Sequence, residues 1–315
     1  MRTMKKKYLI YVLCLLSVIM LFPAKAFARE PIDLTRTASL TINFEAKDGP
    51  VQGVNFKIYK VADISEFCDF TPTGQFAQYP VSFEDLTADG WRKLATTLYS
   101  CVVNDPDAEP DITVSTDREG NVKLENMELG LYLVLGEPFN HAREDYVPEP
   151  FLVNLPSVME DNDTWLFDVA SQVKYSSSTD SRPVDIEVLK VWDDNDAPDR
   201  PDGIVVQLYD GYTISETVIL NKENNWYHKW TGIYGGTTWS VVEPDVPEGY
   251  TVSIEKQGNR FVITNSKGGT TTTRTPGGRL PQTGVLWWPV PTLVCAGIAV
   301  FLIGWIRRRR SRNEA

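Results

Sequence analysis

Apolar residues in the first half of the chain recur at every second position in short bursts: Leu40 and Ile42; Val54, Phe56 and Ile58, with Val61 close behind; Leu131, Leu133 and Leu135; Phe151, Val153 and Leu155. Two-residue alternation puts such side chains on one face of an extended strand. Turn formers between the bursts, such as Asp48-Gly49-Pro50 and Glu119-Gly120-Asn121, mark the reversals. Residues 29–175 therefore read as a β-sandwich. One stretch departs from the period: Trp91, Leu94, Ala95, Leu98 and Cys101 repeat at helical spacing after Thr87-Ala88-Asp89-Gly90, which predicts an inserted helix with Cys101 on its core side. Residues 176–183 are polar with no apolar period and read as a linker. A second series of short strands follows over residues 184–266, built on Ile186 and Val188, Val205 and Leu208, Val218 and Leu220, Trp239 and Val241, Val252 and Ile254, and Phe261 and Ile263.

The two ends carry a different pattern. Residues 1–28 run from Lys5, Lys6 and Lys7 through an apolar stretch to Ala24, Ala26 and Ala28, the order of a secretory signal peptide. Residues 285–306 are uncharged and apolar, roughly 33 Å long as a helix, enough to cross the hydrocarbon core of a bilayer. Trp287 and Trp288 stand at one edge of that run, and Arg307 to Arg310 open a basic tail, residues 307–315, that belongs on the cytoplasmic side. The threonine-rich residues 267–279 read as a short stalk. The fold class expected is all-β: two tandem β-sandwich domains, the first with an inserted helix, between a signal peptide and a transmembrane helix.

Composition narrows the function. The 315-residue chain has a formal net charge of -11, and because both end segments are basic the exported part is more acidic still. Such a surface disfavours nucleic acid and anionic lipid as partners. Of four cysteines, Cys14 and Cys295 fall in the end segments, leaving Cys68 and Cys101 to form either one disulfide or two buried thiols, and an oxidising exterior favours the disulfide. The two histidines, His141 and His228, have no recognisable catalytic partners, and no phosphate loop, metal-ligand spacing or nucleophile elbow is present, so neither a cofactor nor general enzymatic activity is expected. The acidic run Asp193, Asp194, Asn195, Asp196 and Asp199 lacks the spacing of a calcium loop and reads as solvated.

Three stretches resemble known families. Leu280-Pro281-Gln282-Thr283-Gly284, the apolar span and the basic tail together resemble the sorting signal of Gram-positive surface proteins. That resemblance implies a sortase that cleaves after Thr283 and passes its carbonyl to an amine on a peptidoglycan precursor or on another protein, so the chain would be exported and covalently anchored to the cell wall. Residues 38–175 resemble the N-terminal domain of sortase-assembled pilins. There a Trp-x-x-x-Val-x-Val-Tyr-Pro-Lys motif supplies the lysine that links subunits; Trp165, Val169 and Lys174 keep its spacing, while Ser171, Gln172 and Val173 replace Val-Tyr-Pro. That departure favours a minor or basal subunit over a shaft subunit.

Residues 184–266 resemble the collagen-adhesin B-type (Cna-B) domain through Val188 to Asp194, Arg200-Pro201-Asp202, Val205 to Tyr209, Val246 to Tyr250 and Ile263-Thr264-Asn265, in order. The resemblance implies an immunoglobulin-like sandwich closed by a spontaneous isopeptide bond between Lys190 and Asn265, with Glu243 as the acid that shuttles the proton. Laid on the same pattern, the first domain has Phe44 in the place of the lysine and Gly136 in the place of the acid, so no such bond is expected there, and Cys68 with Cys101 is the candidate replacement. The leading expectation is a wall-anchored structural pilin subunit joined to other pilin subunits. A monomeric adhesin for a host surface ligand and a shaft pilin are the alternatives.

Overall fold

The computed structural model describes residues 30–84, 87–158, 164–178, 182–234 and 238–267. The signal peptide, the stalk after Lys267, the sorting motif and the predicted membrane span lie outside them; Lys267, read as the first stalk residue, ends the last strand. Among the described residues no helix is long and apolar enough to cross a membrane.

The first lobe has strands β1 (Ala38–Asn43), β2 (Asn55–Ile64), β3 (Ile112–Ser115), β4 (Asn121–Met127), β5 (Gly130–Gly136), β6 (Glu144–Pro148), β7 (Phe151–Leu155), β8 (Asp168–Gln172) and β9 (Tyr175–Ser178). One sheet has the order β8-β1-β4, with β1 parallel to β8; the facing sheet runs β7-β5-β2, with β3 also on β2. Leu40, Ile42, Phe56, Ile58, Tyr132 and Val134 meet between these sheets. The alternation seen in the sequence is thus the inward face of each strand. β5 differs because it is apolar on both faces. Leu131, Leu133 and Leu135 turn away from the sandwich and pack on Leu94, Ala95, Leu98 and Val102 of helix α1 (Ala88–Asn104), which makes a third layer. The helix starts where expected: the Thr87 hydroxyl accepts the Gly90 N–H at 3.1 Å and Asp89 lies in the first turn.

The predicted linker is corrected by this structure. Tyr175–Ser178 is a strand, paired antiparallel with β6, so the first lobe extends through Ser178. Its polar serines alternate with no apolar period, which is why backbone pairing at this edge left no mark in the sequence.

The second lobe has β10 (Val184–Asp193), β11 (Gly203–Asp210), β12 (Thr213–Asn221), β13 (Tyr227–Ile233), β14 (Trp239–Val242), β15 (Tyr250–Gln257) and β16 (Arg260–Lys267). Its sheets run β13-β10-β16-β15 and β12-β11-β14, and its first and last strands, β10 and β16, pair in parallel as β1 and β8 do in the first lobe. Val188, Val206, Leu208, Val241 and Ile263 fill the space between them.

The two lobes form one compact unit. Helix α1 is buried on a second face, against β15 and β14. The Ile254 N–H donates to the Thr97 hydroxyl at 2.8 Å, the Val252 N–H donates to the Pro80 carbonyl at 2.8 Å, Lys93 pairs with Glu255 at 3.1 Å, and Val103 packs on Tyr209 and Val242. The first lobe thereby covers the edge of β15, which would otherwise expose a row of backbone donors. Thr97→Val keeps the shape but leaves the buried Ile254 N–H without an acceptor. It is expected to cost about 1–3 kcal/mol in a urea unfolding experiment and to speed exchange of that amide.

Candidate functional site

Three polar residues, two on strands and one just past the end of a third, meet in the core of the second lobe. Lys190 lies on β10 opposite Ile263 of β16, and Asn265 is two residues further along β16 on the same face. Glu243 follows the last residue of β14, just before Pro244, which has no N–H to extend the strand. Around them the sequence places Val188, Val241, Val252 and Ile263, so the polar groups are buried because their strands are pinned by apolar neighbours.

The side chains of Lys190 and Glu243 are fully buried, and Asn265 is 0 % exposed. Lys190 Nζ is 3.1 Å from Glu243 Oε2, and Asn265 Nδ2 donates to Glu243 Oε1 at 2.8 Å, so the carboxyl bridges the amine and the amide. Asn265 Oδ1 is buried with no hydrogen-bond partner. Burial pushes Lys190 down to about 8 against the pull of Glu243, and burial pushes Glu243 up against Lys190 and Asn265. Both shifts favour the same proton arrangement, a neutral amine beside a neutral acid. A half-turn of the Asn265 amide exchanges its oxygen and nitrogen. A protonated Glu243 then donates to the amide oxygen, which satisfies the orphan acceptor and polarises the carbonyl carbon.

Trp192 covers this cluster, with Lys190 Nζ 4.5 Å from its ring centre and the rings of Trp226 and Tyr250 each at 5.3 Å. Beyond it lies a feature that the sequence reading missed. Asp194, read as part of a solvated acidic loop, is buried; it accepts from Arg200 Nε at 2.9 Å, from Arg200 Nη2 and from the Tyr250 hydroxyl at 2.9 Å. The arginine, then the phenol, hold its carboxyl well below the usual range, while burial, then Asp194, pushes the Tyr250 phenol up to about 12. The six-residue spacing of Asp194 and Arg200 was the available signal, but a loop has no period to say which charges turn inward. Because the folded pKa is depressed, the stability Asp194 contributes is fully present above its unfolded value near 4 and is lost as pH falls from there toward the folded value. Melting temperature should therefore fall less steeply below about pH 4 in Asp194→Asn than in the parent.

The other predicted residues lie apart from this cluster. Lys174 is exposed between β8 and β9, its carbonyl accepting from the Glu149 N–H at 2.8 Å; Val169 is buried in the first core, and Trp165 Nε1 donates to the Glu30 carbonyl at 2.7 Å. Cys68 and Cys101 are not joined, which corrects the disulfide expectation. Cys68 packs with Ile32 and Ile64, 3.6 Å from the Asn154 amide, whereas Cys101 lies on the flank of α1 that borders Tyr79, Pro80 and Val242, its thiol pushed up to about 12 by burial. Leu280, Pro281, Gln282, Thr283 and Gly284 lie outside the described residues. Among the described residues no cluster of ligating side chains fits a metal ion.

In the first lobe the equivalent place is filled by rings. Asn43 is opposite Gln172 and the Val173 N–H donates to the Asn43 carbonyl, so Phe44 and Tyr175 stand where Lys190 and Asn265 do. Their ring centres are 5.3 Å apart, with Tyr146 and Phe139 around them. A side chain at Gly136 would come within 2.5 Å of Pro148, so that position has no room for an acid.

Residues 186–266 match the model of the Cna protein B-type domain. A collagen adhesin from Staphylococcus aureus is 41% identical over 88 residues, which is 25% of this chain and 7% of that protein. Fimbrial subunit type 2 from Actinomyces naeslundii is 25% identical over 205 residues, 59% of this chain and 32% of that protein. The chain thus spans under a third of the length of either. The full-length major pilin SpaD from Corynebacterium diphtheriae aligns over 76% of this chain and 66% of its own at 19% identity, with a TM-score of 0.31, too slight a likeness to bear on function.

Proposed function

We propose that the chain is a structural, wall-anchored pilin subunit of minor or basal type, whose second lobe closes itself with an amide bond between Lys190 and Asn265. The observation that carries the bond is the buried bridge of Glu243 between the two reacting groups. The neutral Lys190 amine attacks Asn265 Cγ while Glu243 donates a proton to the amide oxygen. The Lys190 nitrogen then gives up a proton, which Glu243 relays to the departing Asn265 nitrogen, and the proton on the oxygen returns to Glu243 as the carbonyl re-forms. The Nζ–Cγ bond replaces the Cγ–Nδ2 bond, ammonia leaves, and Glu243 ends as it began, so no cofactor or oxidant is needed. Burial supports each role, because it favours the unprotonated amine and the protonated acid together.

The assembly role rests on three features. The similarity to a fimbrial subunit covers 59% of the chain, more than one lobe alone. Lys174 is exposed at the end of the first lobe, where an incoming acyl group can reach it. The sorting motif ending at Thr283 supplies such an acyl group to sortase, which would pass it to peptidoglycan precursor or to a neighbouring subunit's lysine. The degenerate Ser171-Gln172-Val173 sequence before Lys174 favours a terminal place in the polymer.

Mass spectrometry of digested cell-wall extracts tests this reading. The expected result is branched peptides joining Thr283 to the wall and Lys174 to another pilin. Thr283 joined only to peptidoglycan, with no high-mass ladder, would instead indicate a monomeric adhesin; ladders from this protein alone, with Lys174 joined to Thr283, would indicate a shaft.

A further inference from the structure

The Asp194 cluster sits too close to the reacting amine to be neutral in its effect. The charged and titratable groups around Lys190 are Glu243 at the end of β14, Asp194 just past β10, Arg200 in the loop before β11, and Tyr250 on β15, with the Lys267–Asp199 pair beyond Tyr250. Trp192 stands between, 4.5 Å from Lys190 Nζ and 5.6 Å from the Arg200 guanidinium. The negative charge of Asp194 acts on Lys190 in the direction that keeps its proton on, and the Trp192 ring that Lys190 and Arg200 both border holds the Asp194–Arg200 pair next to the amine. An uncompensated Asp194 would therefore favour the ion pair of Lys190 with Glu243, the unreactive arrangement.

We propose that Arg200 is a positioning residue for bond formation: its two-pronged pairing with the buried Asp194 carboxylate cancels the second negative charge beside Lys190 and lets the proton rest on Glu243. The proposal rests on the amide-bond reading above. The Asp194 carboxylate ties Arg200 and Tyr250 to the end of β10, the strand that lays Trp192 over the amine. The cost of that anchor is a charge in the wrong place, and the guanidinium removes it.

The test is the rate of ammonia loss in freshly synthesised chain spanning both lobes, sampled in a cell-free translation reaction at neutral pH and read by intact mass. Arg200→Met is expected to slow bond formation roughly tenfold, the effect of one unbalanced charge across a partly shielded site. Arg200→Gln, which retains hydrogen-bond donors for Asp194 without the charge and so protects the loop, should slow it comparably. Asp194→Asn combined with Arg200→Met removes both charges and should recover most of the parent rate. A purely structural Arg200 would make that double variant at least as slow as the single one. Parent-like rates in Arg200→Gln, or a double variant no faster than Arg200→Met, would overturn the proposal while leaving the bond intact. A parent chain that never loses ammonia would overturn the bond reading and this proposal with it.

Discussion

Glu243→Ala is expected to give the two-lobe chain its full sequence mass, without the one-ammonia deficit of the parent, and to lower the stability of the second lobe by at least ~4–5 kcal/mol, the loop-closure value for a cross-link from Lys190 to Asn265. Two effects act in the same direction. The first is the lost bond: without the acid, nothing polarises the Asn265 carbonyl or carries the proton to the leaving nitrogen. The second is electrostatic, because removing Glu243 leaves Lys190 and Asn265 buried with no partner on the face they share. Lys190→Ala also abolishes the bond but leaves no buried amine, so its loss should be the smaller of the two, and the difference between them measures the second effect. Intact mass reads the bond and urea unfolding reads the energy. A parent with the full sequence mass would refute the bond, and a stability change under ~1 kcal/mol in a variant that does lose the cross-link would refute the ledger. Because β10 and β16 are parallel neighbours and the first and last strands of the lobe, a cross-link between them would also carry tension directly from one end of the lobe to the other.

The strands were legible because each is tied to a period: Leu40 and Ile42, or Val188 and Ile263, alternate with half-buried neighbours. Lys190, Glu243 and Asn265 were legible only through the resemblance of residues 184–266 to the collagen-adhesin B-type domain, since no spacing in the chain alone brings position 243 to positions 190 and 265. Helix α1 was legible by its period on one face only. Its second face, with Thr97, Ser100 and Val103, has too few apolar residues to form a stripe, and its burial depends on acceptors that happen to meet the edge of β15. Cys101 illustrates the limit of the period: its spacing from Leu98 and Leu94 put it on the core side, but the helix is flanked by two lobes, and the phase that leaves one core enters the other. Asp194 and Arg200 lie in a loop, where nothing in the spacing separates an inward charge from an outward one. The sequence pattern sets Phe44 in the place of a lysine, but Tyr175 was assigned to the last residue of the domain and its ring contact with Phe44 went unseen.

That ring contact sets the second large effect. Phe44→Ala is expected to destabilise the first lobe by ~3–5 kcal/mol, the range for deleting a fully buried aromatic ring. Phe44 is 1% exposed and touches three other rings, Phe139 at 5.2 Å edge-on, Tyr175 at 5.3 Å and Tyr146 at 6.4 Å. Its backbone is held as tightly, with its N–H donating to the Gly120 carbonyl at 2.9 Å and its own carbonyl so close to Gly120 that a side chain there would come within 2.4 Å. The site therefore cannot collapse around the missing ring, which puts the cost toward the upper end of the range. Tyr175→Ala, at the start of β9, should cost less, because that ring is only half-buried. Neither variant should change the one-ammonia deficit from its own sequence mass, since the residues proposed to form the bond are in the other lobe. Near-UV circular dichroism through a urea titration checks the energies; a loss below ~1 kcal/mol for Phe44→Ala would mean the cluster fills space without fastening the strands. The two lobes then differ in how the same pair of parallel strands is closed. In the second a buried amine and amide face an acid across apolar walls, and in the first Phe44 and Tyr175 occupy both positions while Pro148 fills the room an acid would need. Grafting the second solution onto the first would require replacing all three at once, because a lysine at 44 without an acid is an uncompensated buried charge.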